Sequence, residues 1–126
     1  QIIYCLNRTQ HQKALEEKLN SGINIIAEDY TGTGIAWGMG AGVEQEFLEN
    51  INSHLLKEDI ALLFDGERFK EAVEKNHKHE QNDEFSQKVR KIHLDLGKKY
   101  NWEMINANLT IEEISHIIFE KIIKSL

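Results

Sequence analysis

Residues 28–37 hold the side chains of this chain that are best suited to chemistry. Within ten residues, EDYTGTGIAW combines two carboxylates, two threonine hydroxyls, two glycines and two aromatic rings. Carboxylates can hold a metal ion or orient a donor, glycines let a ligand approach the backbone, and aromatic rings stack on a flat base. The combination indicates a binding site for a small ligand with a flat ring. Acids and glycines are also typical of an ordinary turn between a strand and a helix, so both interpretations stand at this point.

Two other kinds of site are not supported by the spacing of their residues. The glycines at positions 32, 34 and 38 do not have the G-x-G-x-x-G spacing of a dinucleotide site, and no apolar strand ending in an acid follows about 20 residues later. His77, His79 and Glu80 lie close together, but no fourth zinc ligand has a suitable spacing. Cys5 has no base beside it that would activate it as a nucleophile. The sequence therefore predicts no metal site.

The elements that must position residues 28–37 are predicted to alternate between strands and helices. Short apolar runs predict buried strands, and apolar residues at three- and four-residue steps predict helices. The predicted strands are residues 23–27, 60–64 and 103–106, and the predicted helices are residues 11–19, 43–55, 83–99 and a last helix from residue 111. Gly22 is expected to end the first helix in a left-handed conformation. Thr110 and Glu113 have the spacing of a capping box before the last helix.

Strands that alternate with helices imply βαβ units, a parallel sheet and an α/β fold. A length of 126 residues fits one compact domain over residues 1–126. Ligands of such sheets bind beyond the carboxyl ends of the strands. This rule points to residues 28–37 after the first predicted strand and to residues 65–68 after the second.

Composition excludes several classes of function. The formal net charge is −6 with acids and bases mixed along the chain, so no basic face for a nucleic-acid polymer is expected. The longest apolar runs are far too short to cross a bilayer, and no membrane association is predicted. A single cysteine excludes an internal disulfide and favours a cytoplasmic location.

Several stretches resemble, in order, motifs of the thymidylate kinase family. The segment IIAEDYTGTGIAWG is similar to the family signature, in which an apolar strand precedes Asp-Arg-Tyr, a small residue, a hydroxyl, Gly or Asn, and an aromatic residue. Upstream, YCLNR resembles the family's Phe-Ala-x-Asn/Asp-Arg. Downstream, the resemblance continues through LKEDIALLFD, FSQKVRKIHL, YNW followed by INA, and IEEI. The likeness covers essentially the whole chain.

The resemblance implies a P-loop kinase fold of the nucleoside monophosphate kinase type and transfer of the ATP γ-phosphate to dTMP, with Mg²⁺. Tyr4 would stack on thymine, Arg8 would reach the base edge or the phosphate, and Thr33, Gly34 and Trp37 would line the base and sugar pocket. The positions implied for catalysis are Glu28 and Asp29, and those implied for a lid over the phosphates are Arg68, Lys75 and Lys78. A homodimer is also implied, with Phe47, Leu48 and Ile51 as candidate contacts.

The chain departs from the family pattern in two ways. No G-x-x-x-x-G-K-[ST] occurs in it, and it opens on Gln1 inside an apolar patch. We therefore expect the N-terminal strand and phosphate loop to lie upstream, and the 126 residues alone to be inactive. Asp29 stands where the family has arginine, which changes the interaction with a phosphate by about 8 kcal/mol before screening, at a separation of ~4 Å and an effective dielectric near 20. A non-catalytic nucleotide-binding or regulatory module is therefore an open alternative.

Overall fold

The computed structural model describes residues 1–67 and 83–125. They belong to two compact units, Gln1–Lys57 and Glu58–Leu126. The first unit contains helices α1 (Ile2–Asn20), α2 (Thr31–Gly40) and α3 (Gln45–Asn52). The second contains strand β1 (Leu62–Asp65), helix α4 (Asp83–Lys99), strand β2 (Glu103–Asn106) and helix α5 (Ile111–Ser125). A single domain over residues 1–126 stays a prediction.

Helix α1 is longer than the sequence indicates and ends where predicted. Gly22 has a φ of +83°, its N–H donates to the Leu19 carbonyl, and the next N–H reaches back to the Lys18 carbonyl. This pair of bonds is a Schellman motif, in which a left-handed residue satisfies the last carbonyls of a helix. The left-handed conformation predicted for Gly22 is therefore confirmed.

Helix α2 forms from a glycine-rich segment, although glycine disfavours helices. Burial explains this: Ile35, Ala36 and Gly38 are buried, and α2 packs on α3. A Cβ on Gly38 would lie 2.8 Å from Cδ1 of Leu48, whose side chain is completely buried. Glycine at this position lets the two helices approach closely. Leu48 is thus an internal residue, and its prediction as a dimer contact is wrong.

The thiol of Cys5 joins α1 to α3. Cys5 is 7% exposed, and its Sγ lies 2.9 Å from the carbonyl oxygen of Ile51, to which the thiol donates. One turn later, the hydroxyl of Thr9 donates to the Cys5 carbonyl and lies 2.7 Å from His54 Nε2. These contacts fix α1 and α3 side by side within the first unit.

Residues 23–27 do not form the predicted strand. The chain there has no regular secondary structure, and Ile26 is 96% exposed. A β-branched run becomes a strand only when a neighbouring strand pairs with it. Within residues 1–67 and 83–125, the sheet contains β1 and β2 alone, so no such partner is supplied. The prediction of a first strand at this position is wrong for this structure.

The second unit has a parallel pair of strands with helices on it. β1 and β2 pair in register from Leu62 with Glu103 to Asp65 with Asn106. The predicted strand at residues 103–106 and helix at residues 83–99 are confirmed with their bounds. Val89, Leu96 and Ile105 form its buried apolar core. The α/β class is confirmed to the extent of this small parallel sheet.

Helix α5 starts at the predicted capping box. The Glu113 N–H donates to the Thr110 hydroxyl oxygen, and the Glu113 carboxylate accepts from the Thr110 N–H and hydroxyl. These hydrogen bonds hold the pKa of Glu113 below its ordinary value. Across the helices of residues 1–67 and 83–125, none combines the length and the hydropathy that a bilayer crossing requires.

Candidate functional site

Arg8 ties helix α1 to the start of helix α2. Its Nη2 donates to the carbonyl oxygens of Tyr30, at 2.8 Å, and of Asp29, at 3.3 Å. Its guanidinium carbon lies 5.8 Å from the centroid of the Tyr30 ring, within cation–π range. Sequence reasoning predicted Arg8 as a site residue but missed Tyr30 as its partner. Arg8 is therefore held in place on the protein rather than free in solvent.

Gly34 lies directly under this guanidinium. A Cβ on Gly34 would be 3.1 Å from both Nη1 and Nη2 of Arg8, and 3.3 Å from Oε1 of Gln1. Gln1 and Arg8 are seven residues apart, two turns of α1, so both side chains leave the same face of the helix. The structure thus brings together two of the predicted site residues, Arg8 and Gly34, through the absence of a side chain at position 34.

Tyr4 and Trp37 lie on one side of the contact between α1 and α2. Gln1 is near Gly34 and Gly38, whereas Arg8 is near Tyr30 and Gly34, so the two helices run in opposite directions. At 100° per residue, Tyr4 and Trp37 are then turned to the same side of this contact. Cys5 and Gly38 are turned to the other side, where each contacts α3.

The exposure of the two rings differs. Tyr4 is 61% exposed, so most of its side chain is available to a ligand. Trp37 is half-buried and contacts other residues of the chain. Each ring lies about one helical turn from a member of the Arg8–Gly34 contact. The arrangement can accommodate a flat group beside a fixed cation.

The remaining predicted residues of this segment surround the start of α2. Thr33 is half-buried in the first turn, whereas Glu28 and Asp29 are exposed. Asp29 has a φ of +53°, a left-handed conformation that residues with side chains seldom adopt. The contact of Asp29 with Arg8 is made by its backbone carbonyl. Sequence reasoning did not anticipate this role of the backbone.

In the second unit, a salt bridge lies at the end of strand β1. Arg90 Nε lies 2.6 Å from Oδ1 of Asp65, and Arg90 Nη2 lies 3.0 Å from Oδ2, so the pair is bidentate. The hydrogen bond from Arg90 lowers the pKa of Asp65, and the same bond raises the pKa of Arg90. Asp65 is the first of the residues 65–68 at which the sequence predicted ligand binding, and Arg90 belongs to the motif FSQKVRKIHL. Sequence reasoning noted both segments but did not predict that Asp65 and Arg90 pair.

Asn108 fastens the chain beyond the two strands. Its Oδ1 accepts from the Glu67 N–H at 2.6 Å, and its Nδ2 donates to the Glu67 carbonyl at 3.1 Å. The Ala107 N–H donates to the Asp65 carbonyl at 2.9 Å, so the parallel pairing continues one residue past the end of β2. The segments that leave β1 and β2 are held together by these bonds.

Comparison with known proteins identifies the family. A family model described as thymidylate kinase matches residues 1–118. This chain belongs to the thymidylate kinase family. It is 29% identical over 120 residues to a probable thymidylate kinase of Methanocaldococcus jannaschii, with 93% of this chain and 63% of that protein covered.

Two further relatives of the thymidylate kinase family show the same partial coverage. The chain is 27% identical over 119 residues to the thymidylate kinase of Dictyostelium discoideum, covering 93% of this chain and 54% of that protein. It is 29% identical over 115 residues to the thymidylate kinase of Arabidopsis thaliana, covering 90% and 43%. The chain therefore spans roughly half the length of these thymidylate kinases. No solved structure was found to match it.

Membership of the thymidylate kinase family implies the P-loop kinase fold, with which the helices and the parallel strand pair are consistent. The predicted lid residues Arg68, Lys75 and Lys78 lie outside the described residues, as do His77, His79 and Glu80. Over residues 1–67 and 83–125, no three His, Cys, Asp or Glu side chains cluster closely enough to hold a metal ion on their own.

Proposed function

We propose that the full-length protein is a nucleoside monophosphate kinase that transfers the γ-phosphate of ATP to dTMP and gives dTDP. Family membership over residues 1–118 supports this reaction, because the relatives that match are named thymidylate kinases. Those names do not favour the alternative of a non-catalytic module. The protein would then be a transferase of nucleotide biosynthesis with a cytoplasmic location.

The observation that carries the proposal is the fixed guanidinium of Arg8 over Gly34. Two backbone carbonyls hold Nη2 of Arg8, and this leaves Nη1 and Nε to donate toward a base edge or a phosphate. Tyr4 and Trp37, turned to one side of this guanidinium, would stack on the thymine ring. Thr33, on the first turn of α2, would line the sugar side of the pocket.

The charges around α2 are mixed. Its N-terminus presents backbone N–H groups and a positive dipole end, and its N-terminal residue Tyr30 makes no side-chain cap. Together with Arg8 this favours an anionic phosphate. Glu28 is the carboxylate that we assign to the reaction, at the position where the family has aspartate.

The ATP side of the site lies elsewhere in this proposal. Thymidylate kinases generally use ATP and Mg²⁺, but the 126 residues contain no phosphate-binding loop and, where the structure describes them, no metal cluster. Mg²⁺ is bound mainly through nucleotide phosphates and one or two carboxylates, and when bound it would neutralise phosphate charge. Arg68, Lys75 and Lys78 would close over the phosphates. For a homodimer, Phe47 and Ile51 remain the proposed contacts.

Two measurements test the proposal. The full-length protein, incubated with ATP, Mg²⁺ and dTMP, should form ADP and dTDP in equal amounts, and no ADP formation would contradict the kinase reaction. In calorimetry, Arg8→Ala should weaken dTMP binding by about 10- to 100-fold, because hydrogen bonds from a charged group are worth ~1.5–3 kcal/mol. Lys13→Ala is the matched control, since Lys13 is an exposed cation on the same helix. Equal affinity of both variants would refute the role of Arg8.

A further inference from the structure

Asp29 has an unusual backbone conformation for its residue type. Over residues 1–67 and 83–125, the non-glycine residues with a positive φ are Asp29, at +53°, and Asn101, at +56°. Aspartate and asparagine are the side chains that best tolerate this left-handed region. Asn101 ends helix α4 in a Schellman motif, with the Trp102 N–H bonded to the Gly97 carbonyl at 2.8 Å. Asp29 ends no helix, so its conformation needs another explanation.

The bonds of Arg8 supply that explanation. The carbonyls of two successive residues, Asp29 and Tyr30, accept from one nitrogen, Nη2 of Arg8. The backbone torsions of Asp29 set how this pair of carbonyls is oriented relative to the incoming residues 23–28. The Tyr30 carbonyl also accepts from the Gly34 N–H at 3.3 Å, so it is held by the first turn of α2. With an extended or right-handed conformation at Asp29, the Asp29 carbonyl would be turned away from Arg8, and Arg8 would lose that acceptor.

We propose that Asp29 is a positioning residue, whose left-handed backbone turns its own carbonyl onto Arg8 beside that of Tyr30 and so holds the guanidinium above Gly34. The carboxylate of Asp29 takes no part in the reaction. This inference rests on the proposed function, because it assigns Arg8 to the binding of dTMP. It also explains how an acid is tolerated where the family has arginine.

The exposure of Asp29 agrees with this separation of roles. Its side chain is exposed, and charges in contact with water are screened by solvent and salt. Arg8, in contrast, is half-buried, and its guanidinium lies against the backbone at Gly34. A phosphate beside Arg8 would therefore interact more strongly with the guanidinium than with the Asp29 carboxylate.

Three variants of the full-length protein separate the backbone of Asp29 from its charge. Asp29→Gly and Asp29→Asn both lack the carboxylate but accept the left-handed conformation, whereas Asp29→Ala lacks the carboxylate and disfavours the conformation. We expect the KM for dTMP to be lowest in Asp29→Gly, higher in Asp29→Asn and highest in Asp29→Ala. The alanine variant should have a KM about tenfold higher than the glycine variant, with kcat differing by less than threefold.

Asn101→Ala is the matched control. It places alanine in the same backbone conformation, at a residue outside the site, and should lower the melting temperature as Asp29→Ala does. It should not raise the KM for dTMP. A rise in KM with Asn101→Ala would show that the effect comes from stability alone and would overturn the inference.

The remaining outcomes are equally decisive. If all three Asp29 variants lose kcat alike, the carboxylate takes part in the reaction and the inference is wrong. If glycine and alanine give the same KM, the turn does not position Arg8. If the wild-type protein does not turn over dTMP, the proposed function fails, and the inference is then judged from unfolding: Arg8→Lys and Asp29→Ala should be non-additive in a double-mutant cycle. Additive effects would overturn it.

Discussion

Replacing Gly38 with alanine tests the close packing of helices α2 and α3. The new Cβ would lie 2.8 Å from Cδ1 and 2.9 Å from Cδ2 of Leu48, whereas carbon atoms in contact prefer about 3.5–4.0 Å. Leu48 is 0% exposed, so its side chain is enclosed by other residues and does not border solvent into which it could move. A third contact, 3.0 Å from Cγ of Gln1, involves a flexible side chain that can move aside.

The magnitude follows from two opposing effects. Alanine in place of glycine stabilises a helix by about 1 kcal/mol. Overpacking of a filled core costs about 1–3 kcal/mol. We therefore expect Gly38→Ala to lower the free energy of unfolding by about 1 kcal/mol, which corresponds to a decrease in Tm of roughly 3–5 °C for a chain of this size.

Urea unfolding followed by circular dichroism measures this difference, and Gly34→Ala is the control. Position 34 is on the same helix and gains the same helix propensity, but its new Cβ meets Nη1 and Nη2 of Arg8 at 3.1 Å instead of Leu48. The helix gain is then offset by the weakened hydrogen bonds of Arg8. Its effect on unfolding should stay within about 0.5 kcal/mol. Shortening the neighbour with Leu48→Val should reduce the cost of Gly38→Ala. If Gly38→Ala instead raises the free energy of unfolding, the packing argument is wrong.

Two predictions concern the second unit. Asp65→Asn should destabilise the protein by about 0.5–1 kcal/mol at pH 7. Arg90 lowers the pKa of Asp65. The difference in unfolding free energy between the wild type and Asp65→Asn should therefore be present above pH 3.8, the ordinary pKa, and disappear as the pH falls through the folded-state pKa. A difference that persists at the lowest pH would contradict the salt bridge. Gly66→Ala places a Cβ against the Asn108 side chain and should cost about 1 kcal/mol through the lost bonds to Glu67. Adding Asn108→Ala should then cost little more, and full additivity of the two unfolding energies would refute this account.

Local rules of sequence predicted the elements that depend on local interactions. The bounds of α4, the strand β2, the left-handed Gly22 and the capping box at Thr110 were all predicted, because each depends on residues within a few positions of one another. Residues 23–27 were predicted wrongly, since a strand also needs a partner from a distant part of the chain. Helix α2 was not predicted, because tertiary burial overrides the poor helix propensity of its glycines.

In the candidate site, too, sequence reasoning found individual residues but missed contacts between distant parts of the chain. Arg8 and Gly34 were named from family motifs, and the structure brings them together. The contacts that hold Arg8 come from the Asp29 and Tyr30 carbonyls, 21 and 22 residues away. Sequence motifs are defined by side-chain types, and these partners are backbone carbonyls, so the motifs could not predict them. The pairing of Asp65 with Arg90, 25 residues apart, was missed because both had been read as separate motifs.

The covered thiol of Cys5 gives this protein a built-in reporter of separation between α1 and α3. Cys5 is the one cysteine of these 126 residues and is 7% exposed, so a reagent that alkylates thiols should reach it faster when the two helices part. The rate of alkylation therefore follows the population of the opened form. Occupation of the proposed nucleotide pocket, which also uses α1, would slow this labelling in proportion to the stability that the ligand adds.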